Sequence, residues 1–411
     1  MVVPVSSITT KLHVLGTSAK HDICASTSVS ASAVSKRESK RNTSGNPRGN
    51  ATIGYRLPAG CCHAYTSDGR CIALFKVLVS NACTNDCYYC QNATSCKGFR
   101  KVLSFHPDEL VNLFMEFYKR NYVEGLFLSS GICRNVDESM HDLIEIARSL
   151  REKHHFRGYM HMKVLPGASL SDIRALGRHA DRLSLNVEAA GKQHLSEICS
   201  TKDYMSDILT RLSWMHGFHR QDALPAGLTT QIIVGGNHAT DHEILQETAR
   251  HYRSFDLKRV YFSAFSPVTG SPLAKEPPAP LLREHRLYQA DWLLRVYRFP
   301  LQDILPGKGE NLSLAVDPKL RYAIDHYSER FPVDVNECNR DDLLRVPGIG
   351  PKTAKRIVTL RKHGTPVTSM SMLRSLGAVT KRAMPFIKVN GWRHARLDDW
   401  LEQHKLPGRM G

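Results

Sequence analysis

Cys83, Cys87 and Cys90 stand in the run Asn81-Ala82-Cys83-Thr84-Asn85-Asp86-Cys87-Tyr88-Tyr89-Cys90-Gln91, a CxxxCxxC triplet directly behind the apolar stretch Ala73 to Val79. Thiolates are soft ligands, and at such spacing they select iron–sulfur clusters or zinc. A closed structural zinc site takes four ligands, commonly in paired CxxC groups, whereas a single loop here offers three. The triplet therefore suits a cubane cluster with one iron left open to a small molecule. A zinc knuckle completed by Cys96, Cys71 or a distant histidine is the alternative.

The elements that would carry this loop follow a regular alternation. From Ile72 to about Pro300, strand candidates at Ala73 to Val79, Gly125 to Leu128, Tyr159 to Lys163, Leu183 to Val187, Leu228 to Val234 and Val260 to Ala264 are separated by amphipathic stretches. Among these are Leu110 to Arg120, His141 to Arg151, Leu170 to Leu176 and Asp241 to Tyr252. Strands alternating with helices imply parallel pairing through right-handed crossovers. About six units are countable, fewer than the eight of a closed barrel. In a parallel barrel the residues at the C-terminal strand ends converge on one face, so the cysteine loop belongs to that face.

The triplet, with an aromatic residue (Tyr89) just before its last cysteine, resembles the radical S-adenosylmethionine (SAM) superfamily. That resemblance implies a partial (β/α)6 barrel, a [4Fe-4S] cluster on Cys83, Cys87 and Cys90, and SAM bound at the open iron. It also implies reductive cleavage of SAM to a 5'-deoxyadenosyl radical that abstracts a hydrogen from the substrate, with an external electron donor. The second strand ends in Ser129-Ser130-Gly131, where the superfamily keeps a glycine-rich turn for the SAM amino group. Asn186 and Glu188 end the fourth strand, where the ribose hydroxyls or the methionine carboxylate are held. Gly235 and Phe262 fall at the ends of the fifth and sixth, where adenine rests. A lone Glu188 inside an apolar strand end is costly to bury without a partner, which points to a ligand or an ion pair. No residue stands out as a catalytic acid or base.

The 411 residues include eleven cysteines, an odd number without a secretory apolar segment, which excludes a disulfide framework and favours a reducing compartment, the cytoplasm. Cys61, Cys62 and Cys71, with His63, lie on a Gly-rich approach segment that could fold over the site and hold a second metal. No stretch approaches the roughly 20 apolar residues of a membrane helix, so no membrane association is expected. Residues 1–53, Ser-rich and basic, read as a disordered extension or an organellar transit segment. The barrel is expected over residues 54–305, and a Gly- and Pro-punctuated linker over 306–335.

Beyond it, residues 336–411 read as a small all-α domain. Leu343-Leu344-Arg345-Val346-Pro347-Gly348-Ile349-Gly350-Pro351-Lys352-Thr353-Ala354-Lys355-Arg356-Ile357-Val358 resembles the helix-hairpin-helix motif. Gly348 and Gly350 relieve a tight turn, and the N-terminus of the second helix can receive a phosphate without reading sequence. Gly348, Gly350, Lys352, Thr353, Lys355 and Arg356 are thus nucleic-acid-binding candidates. A degenerate second copy runs from Leu373 to Ile387, with Gly377 at its hairpin. Arg361-Lys362-His363 and Lys381-Arg382 would add contacts. From Glu337 onward there are 15 Lys and Arg against 6 Asp and Glu, so this tail holds +9 of a total +17. Such concentration points to a polyanion.

Both halves together, with the runs Tyr65 to Cys71, Gly125 to Gly131, Arg283 to Trp292 and Phe331 to Asn336, resemble a radical SAM family connected with DNA modification and repair. Its members are found paired with a uracil-DNA-glycosylase-like protein, and DNA is the implied substrate. Arg283, His285 and Tyr288 then either line the substrate mouth or tie the two domains. An RNA-modifying radical SAM enzyme and a non-catalytic iron–sulfur DNA-binding protein are the other readings.

Overall fold

The structure, a computed structural model, describes residues 7–19, 61–65, 71–97, 101–222, 224–307 and 309–407. Its chain divides into two compact units. The first runs to Ala239 and adds Arg250–Ala279; the second joins Thr240–Ala249 to everything from Pro280 onward.

In the first unit a seven-stranded sheet keeps the strands in chain order: β1 (Cys61–Tyr65), β2 (Cys71–Leu78), β3 (Gly125–Ser129), β4 (Tyr159–Lys163), β5 (Arg182–Ser184), β6 (Gly227–Val234) and β7 (Leu257–Ala264). From β2 to β7 every neighbouring pair is parallel. That is the expected set of six strand-helix units. Strands β3 and β6 are buried along their whole length, because a parallel sheet covered on both faces leaves no solvated side. Crossovers are made by α2 (Pro107–Lys119), α3 (Val136–Arg148), α4 (Leu170–Gly177), α5 (Lys192–Ser196) with α6 (Thr210–Asp222), and α7 (Asp241–Phe255), whose part up to Ala249 is counted with the second unit. Strand β5 is short, and beyond it the Thr230 hydroxyl donates to the Leu185 carbonyl at 2.6 Å and accepts from the Val187 amide at 3.0 Å; the chain then kinks at Glu188, whose φ is +65°, and rejoins β6 through a single bridge from Glu188 to Ile232.

Two parts of the first unit differ from expectation. Residues 61–65 form an antiparallel edge strand on β2, with Cys61 opposite Phe75 and Tyr65 opposite Cys71, so this stretch extends the sheet instead of folding over the site. Its cysteines and Cys71 have side chains outside the described residues. Within the stretch expected to be disordered, Ile8–Ser18 is a helix, α1, started by Ser7, whose hydroxyl accepts from the Thr10 amide. It buries Leu15, Ser18 and Ala19 and packs on β2. Lys11 fastens it by an ion pair of 2.5 Å to Glu109 on α2. Residues 20–60 lie outside the described residues.

The second unit is helical as expected: α8 (Leu281–Trp292), α9 (Pro318–Asp325), α10 (Tyr327–Arg330), α11 (Arg340–Arg345), α12 (Pro351–Lys362), α13 (Met370–Ser375), α14 (Thr380–Ala383) and α15 (Leu397–Gln403). It also carries a minor sheet of β8 (Val333–Asp334), β9 (Ile387–Val389) and β10 (Trp392–Arg393). Residues 306–335, expected as a linker, are part of its core instead. Val316, Leu320, Ala323, Ile324, Tyr327 and Phe331 pack in one cluster with Leu343, Leu344, Ile357, Leu373, Phe386 and Trp400. The Gly/Pro signals there punctuate short elements and do not mark a free tether. Ile324 is 0% exposed, so Ile324→Ala is expected to cost the full-length protein about 2–5 kcal/mol in urea denaturation followed by tryptophan fluorescence; a true linker position would cost almost nothing.

Candidate active site

Strand alternation decides which side chains meet at the barrel mouth, because successive residues of a strand point to opposite faces. A cavity of about 180 Å³ lies there. Cys83, Cys87 and Cys90 line it from the cysteine loop, together with Ser129 ending β3, Ser130 and Gly131 after it, Lys163 ending β4, Asn186 and Glu188 after β5, and Gln231 and Ile233 on β6. Ser263 to Ser266 close the β7 side, and Ser18 of α1 also reaches the wall.

Two of the expected positions are not in this wall. Phe262 is fully buried and absent from the cavity lining, with Ser263 and Phe265 there in its place. This is the period of two at work, since Phe262 and Ser263 face opposite sides of β7. Gly235 likewise stands outside the lining; a Cβ on it would meet the Ala279 side chain at 2.8 Å. Its φ of +86° marks a turn glycine. Gln231 and Ile233 face the cavity in its stead.

Gly131 has a steric reason to be glycine. A Cβ there would lie 2.2 Å from the Ala82 carbonyl oxygen. The Gly131 amide donates to the Ser80 carbonyl at 2.8 Å and the Thr84 amide to the Ile132 carbonyl at 2.8 Å. The turn after β3 is thereby laid against the first residues of the cysteine loop.

From the other side the loop is held by residues 198–202. The Tyr88 amide donates to the Ile198 carbonyl at 2.8 Å. Asp86 accepts from the Ser200 amide at 3.0 Å, the Ser200 hydroxyl at 2.5 Å, the Thr201 hydroxyl at 2.8 Å and the Cys199 thiol at 3.2 Å. Burial pushes the Asp86 carboxyl up, but those bonds from Ser200, Thr201 and Cys199 outweigh it and bring its pKa to about 2. Cys199 Sγ sits 3.6 Å from Cys87 Sγ. Its hydrogen bond, opposed by burial and aided by nearby Lys202, lowers the Cys87 thiol to about 6. Burial and then the Cys87 charge push Cys90 up to about 12. Of these two thiols, Cys87 ionises first.

Glu188 has the buried ion pair that its position demanded. Lys202 Nζ lies 3.1 Å from its Oε1, with the two side chains 7% and 6% exposed. The second carboxylate oxygen, Oε2, is buried and has no hydrogen-bond partner within the protein, and it belongs to a residue of the cavity wall. Lys202 and Lys163 were not anticipated. Lys202 follows a helix in a polar loop that carries no motif, and Lys163 reads as the ordinary end of a strand.

These residues fit the cluster and cofactor that the triplet implies. Three thiols of one loop share a cavity wall, no fourth sulfur among the described residues joins them there, and an unpartnered carboxylate oxygen and a closely approached glycine turn stand beside them. No group of three His, Cys, Asp or Glu among the described residues converges on a single metal ion. A cubane does not need such convergence, because each of its thiolates binds a different iron. Cys96, one of the alternative fourth zinc ligands, directs its thiol to the Cys90 carbonyl at 3.0 Å, and the side chain of Cys71 lies outside the described residues.

In the second unit the first hairpin joins α11 to α12, with Gly348 at φ +86° and Gly350 capping α12. The second copy joins α13 to α14 around Gly377 at φ +100°. The two hairpins interlock. The Val379 amide donates to the Gly348 carbonyl at 2.9 Å, and Arg356 donates to the Leu376 carbonyl at 3.0 Å. Thr353 is buried, so its side chain is not available to a phosphate. Lys352 and Lys355 are exposed on the α12 surface, with Arg356 beside them partly engaged. Arg361 is committed to the Cys338 carbonyl at 2.7 Å and Arg382 pairs with Asp317, whereas Lys362 and Lys381 are exposed. Arg283 bonds fully buried Asp241 at 2.8 Å inside the second unit, and Arg283, His285 and Tyr288 take no part in the cavity wall.

Residues 77–249 match the model of the radical SAM superfamily, and residues 329–384 match the helix-hairpin-helix motif. No curated protein matches the chain. Similar solved structures include the FeFe-hydrogenase maturase HydG from Carboxydothermus hydrogenoformans, at 14% identity and a TM-score of 0.43, covering 53% of this chain and 50% of that one. Methylornithine synthase (PylB) is similar at 13% identity and a TM-score of 0.42, covering 73% and 84%. The radical SAM methyltransferase TsrM from Kitasatospora setae follows at 12% identity and a TM-score of 0.37, covering 48% and 38%. The chain thus spans about half the length of HydG. No helix among the described residues is long and apolar enough to cross a membrane.

The barrel mouth supports two measurements. Lys202→Met strands the Glu188 carboxylate and is expected to cost about 3–5 kcal/mol in urea denaturation, with the Glu188→Gln/Lys202→Met double variant recovering much of that stability. The Asp86 carboxyl titrates lower in the folded chain than its ordinary 3.8. Its contribution to stability is therefore complete above pH 3.8 and disappears as pH falls through about 2; Asp86→Asn should flatten that acid limb in a pH series of thermal melts. The six-stranded barrel with its cysteine loop thus carries, over residues 77–249, a match to the radical SAM superfamily, a family that uses a [4Fe-4S] cluster and SAM, and it is followed by a helix-hairpin-helix motif.

Proposed function

We propose that this chain is a radical SAM enzyme that modifies or repairs DNA. The observation that carries the reading is the pairing of a cavity lined by Cys83, Cys87 and Cys90 with a helix-hairpin-helix unit whose exposed lysines stand beside its hairpin. In this reading the three thiolates hold the cluster. Ser129, Ser130 and Gly131 receive the SAM amino group through their backbone, and the unpartnered Oε2 of Glu188, with Asn186, takes its polar contacts. When bound, the cluster supplies the electron that cleaves the sulfonium bond of SAM.

The remaining work belongs to the chain's own side chains. Gln231, Ile233 and Ser263 to Ser266 enclose the cofactor and exclude water. Lys202 fixes the rotamer of Glu188 and offsets its charge. The Gly348 to Gly350 hairpin and the first turn of α12, with Lys352, Lys355 and neighbouring Arg356, hold a DNA phosphate without reading sequence. A base inside duplex DNA is flipped or presented single-stranded to reach the cavity. The family resemblance adds a uracil-DNA-glycosylase-like partner and an external electron donor, and the unpaired cysteines suit the cytoplasm.

The test is anaerobic reconstitution of the full-length protein with iron and sulfide, followed by dithionite, SAM, and either DNA, RNA or no nucleic acid. The expected result is 5'-deoxyadenosine formation that DNA stimulates. An intact cluster without SAM cleavage sinks the enzymatic reading, and stimulation by RNA alone moves the substrate. Lys352→Ala/Lys355→Ala should weaken DNA binding about equally across sequences and reduce the salt slope by roughly one for each phosphate that is no longer neutralised; unchanged binding would place DNA elsewhere.

A further inference from the structure

Cys199 lies 112 residues from Cys87 in sequence and does not line the cavity, yet its sulfur is 3.6 Å from that of Cys87. We propose that Cys199 is a positioning residue for the cluster, donating its S–H to the Cys87 thiolate and thereby setting the reduction potential of the centre. The inference rests on the reading that Cys83, Cys87 and Cys90 hold that centre.

Its placement is built into the backbone. The Tyr88 amide bonds the Ile198 carbonyl at 2.8 Å, the Asp86 amide bonds the Thr201 hydroxyl at 3.2 Å, and Asp86 in turn accepts from Ser200 and Thr201. The loop of residues 198–201 is thus clamped along the cysteine loop on both sides of the thiol. Burial completes the arrangement, since Cys199 is 1% and Cys87 5% exposed.

The direction of the bond follows from valence. A thiolate bound to iron has no proton, so the contact is attractive only when Cys199 keeps its own and donates it. The competing acceptor is Asp86 Oδ1, at 3.2 Å. That oxygen already accepts from the Ser200 amide at 3.0 Å, the Thr201 amide at 3.2 Å and the Thr201 hydroxyl at 2.8 Å, whereas Cys87, which otherwise bonds only Lys202, has room for the Cys199 proton; the Thr201 hydroxyl is the other neighbour of the thiol, at 3.5 Å. Hydrogen bonds to cluster sulfurs favour the reduced, more negative state and raise its potential. Cys199 does this at one ligand of three.

The experiment compares wild type, Cys199→Ala and Cys199→Ser after anaerobic reconstitution of the full chain, by redox titration monitored through the electron paramagnetic resonance signal of the reduced cluster. Iron and sulfide content are measured alongside. The expected result is a full cluster in all three, a lower midpoint potential in Cys199→Ala, and return toward wild type in Cys199→Ser, whose hydroxyl can still donate. A wild-type midpoint in Cys199→Ala overturns the proposal. So does loss of iron from both variants, which would make Cys199 a ligand or a structural strut. Failure of the wild type itself to hold a cluster would instead overturn the underlying site assignment.

Discussion

The Asp86 carboxylate is the joint on which the barrel mouth depends. It lies inside the CxxxCxxC loop and gathers donors from Ser200, Thr201 and Cys199, more than a hundred residues downstream. A loop with three cysteines and no regular secondary structure has little else to hold its shape, because chain entropy favours many arrangements of its thiols. Charge-assisted hydrogen bonds are stronger than neutral ones, and here several converge on one group. The same clamp sets Cys199 against Cys87 and leads the chain directly to Lys202, so the ligand loop and the Glu188 ion pair are positioned by a single contact surface.

That joint also separates the parts of the site that are legible in the sequence from those that are not. Cys83, Cys87 and Cys90 announce themselves by spacing, and Ser129 to Gly131 by their place after an apolar strand. Asn186 and Glu188 follow from the same logic, two residues apart at a strand end and therefore on one face. The logic fails where facing must be known to a single residue: Phe262 is one position out of register with the cavity, and Gly235 lies in the turn beyond it. Lys202, Cys199 and Asp86 carry no local signal. Their roles arise only when two distant loops meet, and sequence reading has no access to that meeting.

The helical unit teaches a related lesson about charge. Its excess of lysine and arginine points to a polyanionic partner, but several of its arginines also bond acceptors within the unit. Arg361 serves the Cys338 carbonyl, Arg356 that of Leu376, and Arg345 reaches the Tyr322 hydroxyl. A guanidinium, with five donors in a planar fork, suits that bonding better than an ammonium. The exposed cations are lysines, at 352, 355, 362 and 381, together with arginines such as Arg340, Arg356 and Arg374. The hairpin glycines have a packing duty as well: a Cβ on Gly348 would lie 2.5 Å from the Val379 carbonyl. Glycine here permits two hairpins to interlock as much as it permits a turn.

Glu188 combines three costs that stability alone does not favour. Its backbone is in the left-handed region at φ +65°, its carboxylate is buried against Lys202, and its second oxygen is unpartnered within the protein. A non-glycine residue in that region costs on the order of 1 kcal/mol or more, and a buried ion pair is often no better than apolar side chains of the same volume. An isolated structural pair would be expected to complete its hydrogen bonds with neighbouring groups. Here Glu188 and Lys202 both stand in the cavity wall, Lys202 neutralises the charge through one oxygen, and the other oxygen is left buried without a protein partner. The strain and the unmet bond are on the same residue, which is the arrangement expected of a group held ready for a ligand.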